Sequence, residues 1–323
     1  MSRGPSVLCV GKATQDVFLR DDEFDPHCEG SVCYTHLPLG AKLDVSELSV
    51  STGGNATNVA VTLARQDIAT KYLWALGTDA MSEACLRVLD DEGVDTSGVV
   101  QDERFKVGYS AVLVAVENGE RTILNFKGVS PQAADIERML RLQEPVDWVY
   151  PSSVGSLDVL EKVVAWAEKH GAKVMLNPSG TELSDSQRLK ALLAHVEVLC
   201  MNKEEMQQLV EGSTTEELVR HALHFCPVVV VTDGREGAVA SDGITIVSSG
   251  LYDQAKPVER TGAGDAFASG FLSQWIVGKS LRESLVFASA NSSSVVLQPG
   301  AKAGILQRGV VLHDMPIQER PLA

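Results

Sequence analysis

Apolar residues along this chain follow two spacings. Short unbroken runs occur at Val7–Val10, Lys71–Leu76, Val146–Tyr150, Lys173–Asn177, Val196–Met201 and Val228–Asp233. Runs of that length bounded by Gly, Pro or Asn predict buried strands. Between them, apolar residues recur at helical spacing in Asn55–Arg65, Ala80–Glu92, Leu157–Lys169, Ser186–Ala194 and Lys203–Phe225, the last broken near Gly212. Phe267–Val277 and Leu281–Val296 add two more helices. Strands alternating with helices predict an α/β fold with a parallel sheet covered on both faces.

Two regions break that rhythm. Val17–Leu48 is polar and irregular. Gly108–Val116 and Arg121–Phe126 read as a hairpin around Glu117-Asn118-Gly119-Glu120, where Asn-Gly is a strong turn signal. Together, as residues of about 17–48 and 104–127, they suit a small sheet covering the ligand-binding edge of the main sheet. The alternative is plain surface strands. Arg308–Ala323 reads as a loose terminus. No repeat or long linker divides the chain, so a single domain over 1–323 is expected.

Composition narrows the partners. The chain has 323 residues and a net charge of −15, which argues against nucleic acid or an anionic membrane surface. Val7–Val10 is too short for a signal-peptide core, and no apolar run approaches membrane-spanning length. A cytoplasmic protein is the expectation. The six cysteines form no C-x-x-C pair, so reduced thiols are expected. His27, Cys28, Cys33 and His36 form one soft-ligand cluster, readable as a zinc site or as an ordinary loop or strand.

Candidate chemistry concentrates in Glu259-Arg260-Thr261-Gly262-Ala263-Gly264-Asp265-Ala266-Phe267. Small residues leading into an apolar helix expose backbone N–H groups that suit an anion. Asp265 would repel a resting phosphate there. It makes sense as a base for a hydroxyl attacking a phosphoryl group, or as a carboxylate that merely favours the helix start. Ser51-Thr52-Gly53-Gly54-Asn55-Ala56-Thr57-Asn58 also opens a helix, and its amides suit sugar hydroxyls better than phosphate. Asn202-Lys203-Glu204-Glu205 reads as a capping box or as a Mg²⁺–water–phosphate network. Thr232-Asp233-Gly234 ends a strand where nucleotides bind in open sheets, or is a plain turn. Gly278-Lys279-Ser280 is no P-loop, because it follows a helix and Ser273 stands at the required first Gly.

In this order and spacing the Gly53–Asn58, Asn202–Glu205 and Thr261–Phe267 motifs resemble the ribokinase-like (PfkB) carbohydrate kinase family over essentially the whole chain. The resemblance implies a Rossmann-type three-layer α/β core with a small β-sheet lid, ATP as phosphoryl donor and Mg²⁺. It implies Asp265 as catalytic base, with the N–H groups of Gly262, Ala263 and Gly264 as the anion hole. Asn202 and Glu205 would organise Mg²⁺, the latter through water. Thr232 and Gly234 would lie along the nucleotide, and Asn291 and Gly300 near its base. Asp16, Gly54 and Asn58 would bind substrate hydroxyls.

Some positions depart from the family. Glu259 stands where many relatives carry Asp near a monovalent cation, which leaves a K⁺ requirement open. Asn177-Pro178-Ser179 replaces a D-P-N-like sequence. The cations expected of phosphosugar kinases are not obvious, though Lys42, Arg104, Arg121 and Lys127 could serve. The expected activity is ATP-dependent phosphorylation of a primary hydroxyl on a neutral sugar or sugar-like compound. One rival is a nucleoside kinase using Tyr34, Tyr109 or Phe126 against a base. The other is a sugar- or nucleotide-binding regulator without turnover. Exposed edges of the small sheet suit pairing with a second copy of the chain.

Overall fold

Ser6–Gly11 is buried at every position, as a strand must be when helices cover both faces of its sheet. The computed structural model describes residues 4–30, 32–117, 120–253, 255 and 258–322. Among them, a nine-stranded sheet runs in the order Ile317–Pro321, Thr245–Ser249, Ala238–Ser241, Val228–Thr232, Val198–Asn202, Lys173–Leu176, Trp148–Ser152, Ser6–Gly11, Ala69–Leu73. The six strands from Val228–Thr232 to Ala69–Leu73 are mutually parallel. The other three are antiparallel, so the sheet is mixed where a parallel one was expected.

The predicted helices form, with shifts at their ends. The expected helix Lys203–Phe225 is two, Lys203–Leu209 and Thr215–Ala222, split around Gly212. Asn55–Arg65 packs on Ser6–Gly11 and along Ala263–Trp275, which lies against Leu281–Val296. The last two helices meet through small residues. A Cβ on Gly270 would lie 3.0 Å from Ala288 Cα. No helix among the described residues is long and apolar enough to cross a membrane.

A four-stranded sheet has the order Arg121–Phe126, Gly108–Ala115, Thr14–Asp21, Glu47–Gly53. Thr14–Asp21 pairs parallel with Gly108–Ala115 and antiparallel with Glu47–Gly53. The hairpin partners Phe126 with Tyr109 and Arg121 with Val114, while Asn118 and Gly119 lie outside the described residues. This sheet grows directly out of the core, because only two residues separate Gly11 from Thr14.

Two expectations need correction. The tail is not loose: Ile317–Pro321 is an edge strand, Leu322 N–H donates to Ile244 O at 2.8 Å, and Arg320 meets Glu216 at 2.6 Å. An edge position tolerates Pro321, which has no N–H to give. Nor are all thiols reduced. Cys28 and Cys33 face each other across the hairpin His27–Glu29/Val32–Tyr34 and form a disulfide. That bond leaves neither sulfur free to hold zinc. The remaining cysteines, Cys9, Cys85, Cys200 and Cys226, are buried and free.

Candidate active site

The helix Ala263–Trp275 begins without a side-chain cap. Gly262 reaches the left-handed region (φ 79°), and a Cβ there would sit 2.5 Å from Ala301 Cβ. Glycine therefore lets the helix start close against the Gly300–Lys302 segment. The first i→i−4 bond runs from Ala266 N–H to Gly262 O at 2.8 Å. The N–H groups of Gly264 and Asp265 precede it and have no partner within the helix. Ala263 N–H makes only a long bond, 3.3 Å, to Arg260 O. Around the position of a Cβ on Gly264 there is open space. This is the geometry expected of an anion-binding helix start.

Asp265 is buried, and burial pushes its carboxyl up to about 6. Asn58 Nδ2 donates to its Oδ2 at 2.8 Å and opposes that rise, as does the charge of Lys302. Asn58 lies on the helix Asn55–Arg65, which starts from Gly54 at φ 98°. A Cβ on Gly54 would be 2.3 Å from Lys12 O, and one on Gly53 would be 2.5 Å from Asp16 Oδ2. The two glycines thus let the loop lie against the end of the first strand and beside Asp16. Asp16 is buried opposite Ser51 and Ser110 on the small sheet. Its carboxyl is also raised, chiefly by burial, against the lowering effect of the Ser110 hydroxyl and Lys302.

Lys302 was not expected in the site. It is buried, and its Nζ donates to Thr52 O at 2.9 Å, Thr57 Oγ1 at 3.0 Å and Asn58 Oδ1 at 2.7 Å. Burial brings its ammonium down to about 8, with Cys85, Asp265 and Asp16 acting in the opposite direction. A lone lysine in a stretch of small residues carries no local sequence signal. Its place follows from tertiary packing of Ala301 on Gly262.

Thr232, Gly234, Tyr252, Ala263, Gly264 and Ser289 share one cleft. It opens beside Asp265 at the head of the helix, and His313 stacks on Tyr252 with ring centroids 4.0 Å apart. Asn202 adjoins it, paired in register with Thr232. Asn202 Oδ1 accepts from Glu205 N–H at 2.8 Å, and Glu205 Oε2 accepts from Asn202 N–H at 3.1 Å, so the capping box is real. Burial raises the Glu205 carboxyl.

Two expected base contacts fall elsewhere. Asn291 is fully buried, and its amide is engaged by Ala266 O (2.8 Å) and Leu306 N–H (2.9 Å). It ties the helix head to the 302–306 segment, and Ser289 lines the cleft instead. Gly300 packs against Ser51 and donates its N–H to Glu259 Oε2 at 2.9 Å. It belongs to the Asp265 side of the helix start. Of the candidate phosphate ligands, Arg104 is bound to Asp102 at 2.9 Å, and Lys42, Arg121 and Lys127 are exposed.

Comparison with known proteins bears on the family and the fold. The model of the pfkB family carbohydrate kinases matches residues 5–308. Ribokinase of Haemophilus influenzae is 26% identical over 294 residues, covering 88% of this chain and 93% of that protein. The ATP-dependent ribose-1-phosphate kinase of Halopiger xanaduensis is 28% identical over 306 residues, covering 92% and 94%. The solved structure of Arabidopsis thaliana ribokinase complexed with ribose and ATP has a TM-score of 0.77 at 22% identity, covering 95% and 97%. That last likeness establishes the fold, a three-layer α/β core with a small β-sheet beside it.

Proposed function

Because this chain belongs to the pfkB family of carbohydrate kinases, we propose that it moves the terminal phosphoryl of ATP to a primary hydroxyl of a neutral sugar, with Asp265 as base. The observation that carries this reading is the juxtaposition at one helix head. A buried carboxylate lies on one side, a cleft lined by Thr232 and Gly234 on the other, and open N–H groups lie between them.

Asn58 occupies Asp265 Oδ2, so Oδ1 is the oxygen that takes the hydroxyl proton. The resulting alkoxide oxygen forms the new bond to phosphorus as the bond to the leaving ADP oxygen breaks. The N–H groups of Gly264 and Asp265, with the loosely held N–H of Ala263, stabilise charge on the transferring group. A carboxyl near 6 is ionised at neutral pH yet basic enough to accept a proton. Asp16 and the Gly54 backbone offer partners for the sugar's other hydroxyls. Asn58 has one further N–H to give.

The donor set near the nucleotide fits Mg²⁺. Glu205 keeps a second carboxylate oxygen outside its cap, which suits an ion that retains most of its waters. Glu205 and Asn202 would hold the ion through water, where it would neutralise phosphate charge. Glu259 Oε1 is buried without a hydrogen-bond partner among the described residues, a feature that supports a cation beside Gly300. The four-stranded sheet would act as a lid over the sugar, since it carries Asp16 and ends at Gly53. Its strand Arg121–Phe126 is exposed throughout and would be the edge offered to a second copy.

Neutral sugars are favoured because Lys302 spends all three of its donors within the protein. An ADP-release assay over pentoses, hexoses, sugar acids, phosphosugars and nucleosides tests the reading. Turnover of a neutral sugar is expected. Preference for a phosphosugar would overturn the neutral-sugar half. A winning nucleoside would shift attention to Tyr109 and Phe126, and binding without turnover would favour a regulator.

A further inference from the structure

The hydrogen-bond chain from Lys302 to Asp265 has a fixed polarity. An ammonium only donates, so the Asn58 atom facing Lys302 must be Oδ1. The amide cannot then turn over, and Nδ2 must face Asp265. An amide N–H only donates, so Asp265 Oδ2 must accept. Without Lys302 the Asn58 amide could adopt either orientation, and one of them would set Oδ1 against the carboxylate. That flipped arrangement is compatible only with a protonated Asp265.

We propose that Lys302 is the positioning residue of the base. It locks the Asn58 amide so that Asp265 stays ionised, with Oδ1 directed to the acceptor hydroxyl. The proposal deepens the kinase reading and rests on it for the identity of the base. Lys302 does not touch the reacting atoms. It acts through Asn58 and through its charge. Its other bonds, to Thr52 O and Thr57 Oγ1, place the ammonium beneath the Gly53–Gly54 loop, and Thr57 Oγ1 in turn reaches Gly53 O at 2.6 Å. One side chain therefore braces both the base and the loop expected to face the sugar.

The surrounding charges define what a titration would report. Asp265 feels Lys302, and its own charge raises the buried Tyr150 hydroxyl. Lys302 feels Asp265, Asp16, Cys85 and Glu92. Glu259 acts on Asp16. Tyr150 and Cys85 are both raised by burial and stay neutral at working pH. Lys302 is thus the cation whose charge bears on both Asp265 and Asp16, and its removal leaves these two carboxyls without that charge.

The test compares Lys302→Met and Lys302→Gln with the unmodified protein. The midpoint of the Asp265 carboxyl is read by ¹³C NMR, assigned by difference from Asp265→Asn. It should rise by roughly a unit in both variants, the effect of losing a nearby opposite charge. This readout needs no turnover, so failure of the kinase reading and failure of the Lys302 proposal are separable. With an accepted sugar in hand, the acid limb of kcat/KM should move up by the same amount, and lost activity should recover as pH rises. Lys302→Gln keeps a donor for Asn58 and should retain more kcat than Lys302→Met. Unmoved midpoints, or an activity loss equal at every pH, would overturn the proposal. If Lys302→Met does not fold, Lys302→Gln decides alone on the midpoint.

Discussion

Two helix starts in this molecule share an acidic residue at the third helical position, Glu205 and Asp265, and differ in structure. At Asn202–Glu205 the capping box is closed: Asn202 and Glu205 each accept from the other's backbone N–H. At Gly262–Asp265 there is no side-chain cap, and the carboxylate is turned inward to Asn58. The first corner is stable by itself and can lend a ligand only its spare oxygen. The second is left incomplete, with open donors above and a buried acid beside them. An unfinished helix start is the better marker of chemistry, because natural helices otherwise satisfy those groups locally.

The comparison breaks first at Asp265. Asp265→Asn should lower kcat by roughly 10²–10⁴-fold, the range for a positioned base, with ADP affinity retained by calorimetry. A loss of only a few-fold would place the chemistry elsewhere. The same variant reads stability. The folded carboxyl, near 6, holds its proton more tightly than a free aspartate carboxyl does at 3.8. The unmodified protein therefore loses stability as pH rises through that window, while Asp265→Asn does not. The gap in melting temperature between them should widen from about pH 4 to about pH 6 and then level off.

The two glycines of the incomplete corner sharpen it next. Gly264→Ala meets no atom within 4 Å and should leave melting unchanged. Its methyl would enter the space of the phosphoryl group, and kcat/KM should fall by roughly 10²-fold, as for an ångström-scale misplacement. Gly262→Ala needs φ 79° and meets Ala301, so it should cost about 1–3 kcal/mol in denaturant unfolding. Reversal of these two phenotypes would refute the geometry of the helix head.

The smallest effect belongs to the self-contained corner. Glu205→Gln keeps most of the cap and should raise the Mg²⁺ concentration for half-maximal rate by roughly tenfold. A lowered melting temperature with unchanged Mg²⁺ dependence would mean that Asn202 and Glu205 only cap the helix.

Much of this was legible in the chain. The apolar runs Val7–Val10 and Val228–Asp233 are interior strands of the large sheet, and the two Gly-rich loops do open helices. Those features are local, so sequence spacing records them. Ile317–Pro321 escaped because an edge strand with exposed Gln318, Glu319 and Arg320 has no apolar alternation to read. The Cys28–Cys33 pair depends on hairpin register, which a separation of five positions does not announce. Lys302 and Asn291 depend on distant partners, 244 and 25 residues away in the chain. No local pattern could assign the first to the site or remove the second from the cleft.

The close approach at Gly270 has a consequence for how substitutions spread along the sequence. Ser292 Oγ donates to Ala263 O at 2.9 Å, and Asn291 holds Ala266 O, so the second helix grips the carbonyls of the first turn. With Ala288 Cα 3.0 Å from a Cβ on Gly270, there is no slack to absorb added volume. A saturation library should therefore show a stripe of size intolerance along Ala288, Asn291 and Ser292. Judged by their place outside the cleft lining alone, Ala288 and Asn291 would pass as ordinary packing. Their tolerance to change is set by the position of the neighbouring helix head.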